Sequence, residues 1–401
     1  MTASLLASVE MAPRDPILGI TEAFLADPNP KKLNLGVGVY TDDAGKVPLL
    51  ECVRRADQAI LENQAPWSYL PIDGLAAYDK AVQALVFGAD SGVVTQGRGV
   101  TVQALGGTGA LKVGADFLRR ISPNAQVLIS EPSWENHRAL FEGAGFAVGS
   151  YPYYDAATHG LDFAGMAAAL GRAPSGTIVV LHVCCHNPTG VDLEPGQWAQ
   201  VLEIVKARGL IPFLDSAYQG FAEGIDADGA IVREFAQGYS PVFVASSFSK
   251  SFSLYGERVG ALSVATASTE ESARVLSQLK RVVRANYSNP PTHGGKAVAM
   301  ILTTPELRAL WEKELGVMRE RIRAMRKALV ERIHARVGGA DFGFVMRQRG
   351  MFSYSGLTKA QVVRLREEFS VYAIETGRIC VAALNSQNVD HAADAIAAVI
   401  R

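Results

Sequence analysis

From Val100 onward, short unbroken apolar runs alternate with stretches whose apolar positions recur every three or four residues. Val127–Ile129, Ile178–Val183, Ile211–Leu214, Val242–Ala245 and Ala261–Val264 are nearly all apolar. A strand with one wet face alternates polar and apolar side chains, whereas a strand covered on both faces does not. These runs therefore predict a parallel sheet sandwiched by helices. Leu111–Arg120 and Gln197–Arg208 carry helical spacing between them, so the middle of the chain reads as an α/β layer structure.

The pattern changes towards the C-terminus. Pro305 suits the first turn of a helix, and Glu306 to about Arg336 is long, amphipathic and Arg-rich. A β-like stretch (Phe342–Tyr354), a helix (Lys359–Phe369), a short strand (Val371–Glu375) and a closing helix follow, predicting a second, α+β unit. Gly316 is the candidate break between the two, which puts a soft boundary near residue 317.

With 401 residues the chain exceeds what one core usually organises, in keeping with one large and one small domain. Apolar residues make up 48% and charged residues 20%, and the net charge is −1. That balance gives no footprint for nucleic acid or a membrane surface. The longest apolar runs, such as Thr177–Cys185, fall far short of a bilayer span. The N-terminus has no basic segment and no clear small-residue cleavage site, so a cytoplasmic start is expected. Cys52, Cys184, Cys185 and Cys380 are expected to be reduced, because neighbouring cysteines rarely bridge each other.

Chemistry concentrates where strands end. Val100–Leu105 runs into Gly106-Gly107-Thr108-Gly109 and then directly into a helix, leaving free N–H groups and a positive dipole end that suit a phosphate. The spacing matches neither nucleotide-loop pattern, and the turn alone is equally compatible with a structural role. Cys184-Cys185-His186-Asn187-Pro188-Thr189-Gly190 follows another buried strand. Asn187 there can donate an amide N–H, although by itself the motif is more often a plain Asn-Pro turn. His182 and His186 flank the cysteine pair with a spacing that matches no common zinc site, so no metal is expected. Asp215 ends the run Ile211–Leu214 and needs a cationic partner if buried, which a protonated pyridine nitrogen would supply. A helix cap is the alternative for it. Tyr218 stands three residues on. In Ser246-Ser247-Phe248-Ser249-Lys250, burial and the nearby Arg258 would depress the lysine pKa and yield an amine that attacks an aldehyde. Ser247 and Arg258 are placed to hold a phosphate.

Taken in order, G-G-T-G, P-S-W-E-N-H, C-H-N-P-T-G, D-x-A-Y-Q-G, S-F-S-K, G-E-R-V-G, R-A-N-Y-S-N-P-P and a final G-R resemble the class I aspartate/aromatic aminotransferases, from about Asp15 to the C-terminus. Gly109–Leu118, Trp134–His137 and Phe252–Arg258 look closer to the bacterial aromatic (tyrosine) branch. The resemblance implies fold type I of the pyridoxal-phosphate enzymes, an α/β fold whose large domain holds a mostly parallel seven-stranded sheet beside a smaller α+β domain. It implies an N-terminal arm over 1–12, a small domain from 13–46 and 318–401, and a large domain over 47–317.

The cofactor implied is pyridoxal 5′-phosphate, bonded to Lys250, which would also shuttle the substrate proton. Asp215 would pair with the pyridine nitrogen, oriented by His137. Tyr218 and Asn187 would bond the ring oxygen, and Trp134 would stack on the ring. Gly107, Thr108, Ser247 and Arg258 would hold the phosphate, with Tyr69 reaching in from a second subunit of a homodimer that shares its active sites. Arg378 would clamp the substrate α-carboxylate beside the backbone of Gly38, and Arg284 of the other subunit would take a distal carboxylate. The implied reaction transfers the amino group of phenylalanine or tyrosine to 2-oxoglutarate by a ping-pong route. Val39, Thr41, Val47 and Ser68 give a small or apolar rim, yet Thr108 and Asn289 look like the aspartate branch, so aspartate is expected as a donor too. Three alternatives stand beside it: an aspartate aminotransferase with little aromatic activity, another pyridoxal reaction such as a C–S lyase, and a ligand-sensing regulator on the same fold. The last usually carries a DNA-binding module, of which the sequence has no sign.

Overall fold

The computed structural model describes residues 4–12, 18–63, 66, 68–338 and 341–401. Residues 1–3 of the expected arm, the expected start of the small domain at 13, and Asp15 lie outside the described residues. Seven strands form the main sheet, in the spatial order Gly99–Leu105, Val259–Ala265, Val242–Ser247, Ile211–Ser216, Ile178–His182, Gln126–Glu131, Ala147–Pro152. The five apolar runs all fall in it. The residues of Ile178–His182, Val242–Ser247 and Val259–Ala265 are buried throughout, because helices cover both faces and no side-chain position meets water.

One strand runs against the rest. Val259–Ala265 is antiparallel to both of its neighbours, pairing Val259 with Leu105 and Gly260 with Ser247. Its beginning therefore lies at the edge where the parallel strands end. That reversal carries Arg258 to the same edge as Gly106, Asp215 and Ser247, where open α/β sheets receive ligands. The helix Gly106–Ile121 starts at that edge and packs Gly114 onto the Phe213 ring below.

The C-terminal unit departs from the expected elements in three places. Most of Phe342–Tyr354 is not strand: Gly343–Arg347 is a 3-10 helix, and only Phe352–Tyr354 pairs, with Arg378–Cys380. Its apolar residues Phe342, Phe344 and Val345 serve burial rather than pairing. Within Val371–Glu375, pairing is confined to Val371 and Tyr372, which join Leu33 and Asn34 in a parallel two-residue ladder. The helix Pro305–Arg336 runs through Gly316 without a break. One glycine costs a helix only about 1 kcal/mol, and Trp311, Leu315, Met318 and Ile322 bury a continuous stripe across it. Trp311 also donates Nε1–H to the Ser251 carbonyl at 2.7 Å and stacks on Phe252. This ties the long helix to the loop that bears Lys250.

A Cβ at Gly260 would lie 2.4 Å from the Gly106 carbonyl carbon and 2.7 Å from the Ser246 carbonyl oxygen. Both neighbours are backbone and cannot swing aside. Gly260→Ala should therefore destabilise the fold by about 3 kcal/mol, the upper part of the range for overpacking. A lowered chemical-denaturation midpoint with an unchanged slope would be its signature, and an unchanged midpoint would show that the Gly106 turn can give way.

Candidate active site

The edge described above opens into a cavity of about 230 Å³ between the sheet and the C-terminal unit. Gly38, Gly107, Thr108, Trp134, Asn187, Asp215, Tyr218, Ser247, Lys250, Arg258 and Arg378 all line it. Of the residues expected to touch cofactor or substrate, Tyr69 and Arg284 lie elsewhere, and the expected rim residues Val39, Thr41, Val47 and Ser68 are not in its lining either. Tyr69 is 92% exposed, and Arg284 is exposed in the last turn of Thr269–Asn286, where it bonds the Ser288 hydroxyl.

Each wall has a local cause. Gly106 adopts φ +69°, a conformation that costs glycine little, and opens its helix against the guanidinium of Arg258. The N–H groups of that first turn have no partners within the helix and face the cavity through Gly107 and Thr108. Arg258 is held by its own loop, with Nη1 donating to the Tyr255 carbonyl at 3.0 Å and to the Ser249 hydroxyl at 3.3 Å.

Beneath lies a charge relay of buried groups. His137, at 0% exposure, shares a 2.8 Å hydrogen bond between Nε2 and Asp215 Oδ2, and its Nδ1 meets the Ser133 hydroxyl at 2.9 Å. Burial pushes the Asp215 carboxyl up, but the His137 bond and nearby positive charge overcome that and hold it below its ordinary value. Lys250 faces the opposite balance. Loss of water, opposed by attraction to Asp215 and aided by repulsion from Arg258, lowers its pKa to about 8. Its Nζ sits 4.9 Å from the centre of the Tyr218 ring.

Arg378, 3% exposed, donates from Nη1 to Asn187 Oδ1 at 3.1 Å and from Nη2 to the Gly36 carbonyl at 2.7 Å. Its Nε is buried without a partner among the described residues. The bond to Asn187 consumes the amide oxygen and leaves the amide N–H groups to serve the cavity. Phe352 supports the arrangement, with the guanidinium 4.4 Å from its ring centre. A Cβ at Gly38 would lie 2.6 Å from the same ring, so only glycine fits there.

Leu111, His182, Ala217, Ser249, Tyr255 and Phe352 also line the cavity and were not foreseen as site residues. The signal for His182 was its place before the cysteine pair, weighed there only as a metal site and set aside on its spacing. Burial and the neighbouring His137 lower its pKa to about 3, so it is neutral, and neither ring nitrogen has a partner among the described residues. Ligand atoms of His137, His182 and Asp215 lie within 4.8 Å of one another. Both nitrogens of His137 are already engaged, by Ser133 and Asp215, so the trio lacks a free imidazole there for an ion.

A lysine of lowered pKa, a buried ionised aspartate and an anion-ready helix start, gathered at one end of a mostly parallel sheet, define a fold type I pyridoxal-phosphate enzyme. The comparisons narrow this further. The family model for aminotransferase class I and II matches residues 30–396. Aspartate aminotransferase of Pseudomonas aeruginosa is 62% identical over 397 residues, covering 99% of this chain and 100% of that protein. Aromatic-amino-acid aminotransferase of Escherichia coli is 51% identical over 389 residues, covering 96% and 98%. The crystal structure of aromatic-amino-acid aminotransferase from Burkholderia pseudomallei, covalently bound to pyridoxal phosphate, superposes with a TM-score of 0.97 at 67% identity, covering 99% of this chain and 100% of that one. The chain belongs to the class I and II aminotransferases. It is a pyridoxal-phosphate-dependent aminotransferase of the aspartate/aromatic type, acting on amino acids and 2-oxo acids. Among the described residues, no helix is long and apolar enough to cross a membrane.

Because Lys250 titrates near 8, the cofactor-free enzyme should capture pyridoxal phosphate at a rate that climbs with the neutral-amine fraction. The rate should rise up to about pH 8 and level off above it. Stopped-flow absorbance, with borohydride trapping to locate the modified lysine, reads this directly. A rate still climbing towards the ordinary lysine value of 10.5 would contradict the lowered pKa.

Proposed function

We propose that this enzyme is an aromatic amino acid aminotransferase. It moves the amino group of phenylalanine or tyrosine, and also of aspartate, to 2-oxoglutarate in a ping-pong cycle. The observation that carries this is the cavity wall. Leu111, Trp134, Tyr255 and Phe352 line it, while its only cations among the described residues are Lys250, Arg258 and Arg378. Within one chain, an aromatic side chain therefore finds apolar surface and no cation beyond the groups that cofactor and α-carboxylate require. The Burkholderia structure, whose protein is an aromatic-amino-acid aminotransferase, supports the same assignment.

The donor set fits pyridoxal phosphate. The Gly106–Thr108 helix start, Ser247 and Arg258 suit a phosphate dianion, and a Cβ at Gly107 would lie 3.0 Å from Ser247 Cβ, so that face must stay bare. When bound, the cofactor supplies an aldehyde that exchanges amines and an electron sink for the pair left on the substrate Cα. In our assignment Gly107, Thr108, Ser247 and Arg258 would bind the phosphate, Trp134 would cover the ring, and Asn187 and Tyr218 would donate to the ring oxygen. Asp215, kept ionised by His137, would hold the ring nitrogen protonated. Lys250, a readily freed amine beside Asp215, would accept the proton leaving the substrate Cα and return it one atom away. Arg378 binds the α-carboxylate as a planar fork, with its buried unpartnered Nε available to it, and the Gly38 backbone lies alongside.

The proposal includes a cytoplasmic homodimer, a small domain of 13–46 with 318–401, and a large domain of 47–317. The Leu33–Val371 and Asn34–Tyr372 pairing supports joining the first and last segments. The exposed Leu6, Val9, Met11 and Tyr69 give a partner apolar surface to cover. Tyr69 would complete the phosphate site of that partner, and Arg284 its distal carboxylate site.

A second reading, an aspartate aminotransferase with little aromatic activity, is favoured by the 62% identity to the Pseudomonas enzyme. The ratio of kcat/KM for phenylalanine to that for aspartate decides between them. A ratio above ten, about 1.4 kcal/mol of transition-state discrimination, is expected. A ratio below one tenth would establish the second reading.

Shared sites are tested by hybrids. Lys250→Ala and Arg284→Ala chains should each be inactive towards aspartate. Co-expressed, they should recover about a quarter of wild-type activity, because half the dimers carry one intact site in two. No recovery would place Arg284 outside the neighbouring site.

A further inference from the structure

A second and larger cavity, about 610 Å³, lies where the long helix meets the 3-10 turn and the loop after Tyr218. Arg319, Arg323, Arg326, Arg347 and Arg349 line it, against two acids, Glu194 and Glu223. Such crowding of like charge is unfavourable in a chain whose overall charge is −1. The acids offset it only in part. Glu223 pairs with Arg323 at 2.7 Å and with Arg349 at 3.7 Å, and Glu320 pairs with Arg319 at 3.3 Å and Arg323 at 3.1 Å, while Arg347 has no ion-pair partner among the described residues.

Arg326 is the least expected member. It is 3% exposed and has no carboxylate partner among the described residues. Its Nε reaches the Ser353 hydroxyl at 3.3 Å, and its Nη2 reaches the Gly350 and Phe352 carbonyls at 2.6 and 3.2 Å. Nη1 makes no hydrogen bond among the described residues although the side chain lines the cavity. Burial lowers its pKa only to about 10, so it stays charged at neutral pH. A mostly buried guanidinium whose free donor opens on a cavity is stabilised by an anion that reaches it.

From this cavity, its arginines and the free donor of Arg326, we propose a second binding site, for a small oxyanion carrying two or more negative charges. Guanidinium groups suit such ligands because their planar forks match carboxylate and phosphate oxygens. The site shares a wall with the active site. The Arg349 N–H donates to the Gly190 carbonyl at 2.7 Å, and Gly350, at φ +77°, packs so closely on Cys185 that a Cβ would lie 2.3 Å from its Cβ. Phe352, whose carbonyl Arg326 holds, seats Arg378 with its ring. An anion here therefore bears on the segment that fixes the α-carboxylate clamp.

Calorimetric titration of inorganic phosphate, and separately of citrate, into the cofactor-loaded enzyme at low ionic strength tests the site. Saturable binding of one anion per chain is expected. It should persist in Arg378→Leu and weaken by roughly tenfold in the Arg319→Ala/Arg323→Ala double variant. The exposed Arg347→Ala, which should weaken binding without threatening the fold, carries the test if the double variant does not fold. Binding of phosphate alone would identify a phosphate ligand, and binding of citrate alone a polycarboxylate. No saturable binding of either, or binding lost in Arg378→Leu but kept when the cavity arginines are removed, would overturn the proposal.

Discussion

The ionised carboxylate of Asp215 is the constraint on which the site depends. At 5% exposure it would hold its proton if left alone, and the hydrogen bond from His137 reverses that preference. The effect spreads outward. The Asp215 charge partly offsets the burial of Lys250, leaving its pKa near 8 rather than lower, so without cofactor the amine is mostly protonated at neutral pH yet easily freed. On the other side, Ser133 and the start of the helix Glu135–Gly143 orient the His137 ring that makes this possible. Ser133, His137, Asp215 and Lys250 thus form one electrostatic line through the floor of the cavity.

The sheet can afford such a line only because its strands end together. Six strands point one way, and the seventh, reversed, delivers its first residue instead of its last. A parallel seventh strand would have put Arg258 at the far edge, leaving the helix start at Gly106 without its guanidinium. The same layout explains why so much was legible in the sequence. Strands covered on both faces wrote themselves as unbroken apolar runs, and the polar motifs that interrupt them mark the functional edge.

What was not legible has equally physical causes. Phe342, Phe344 and Val345 suggested strand because burial and pairing select the same residue types, and here only burial operates. Phe352 sits in no motif and Tyr255 in one that assigned it no role; their places come from packing against Gly38 and Arg378 and from accepting the Tyr40 N–H. His182 stood in a spacing that matched no metal site and suggested no other role, and its neutral, unpartnered state among the described residues emerges only from three-dimensional burial. Tyr69 and Arg284 face away from the cavity of their own chain, so no single-chain argument from pattern or packing can seat them.

Arg378 bonds at once to the carbonyl of Gly36 and the side chain of Asn187, and so gathers the beginning, middle and end of the polypeptide at one point. A ribosome delivers these segments in sequence, and the last of them emerges well after the sheet is complete. Gly107, Thr108, Ser247 and Arg258 all precede the clamp along the chain. Cradle and clamp are made by different stretches, so a change confined to the C-terminal unit can disturb the grip on an amino acid and leave the groups placed for the phosphate untouched.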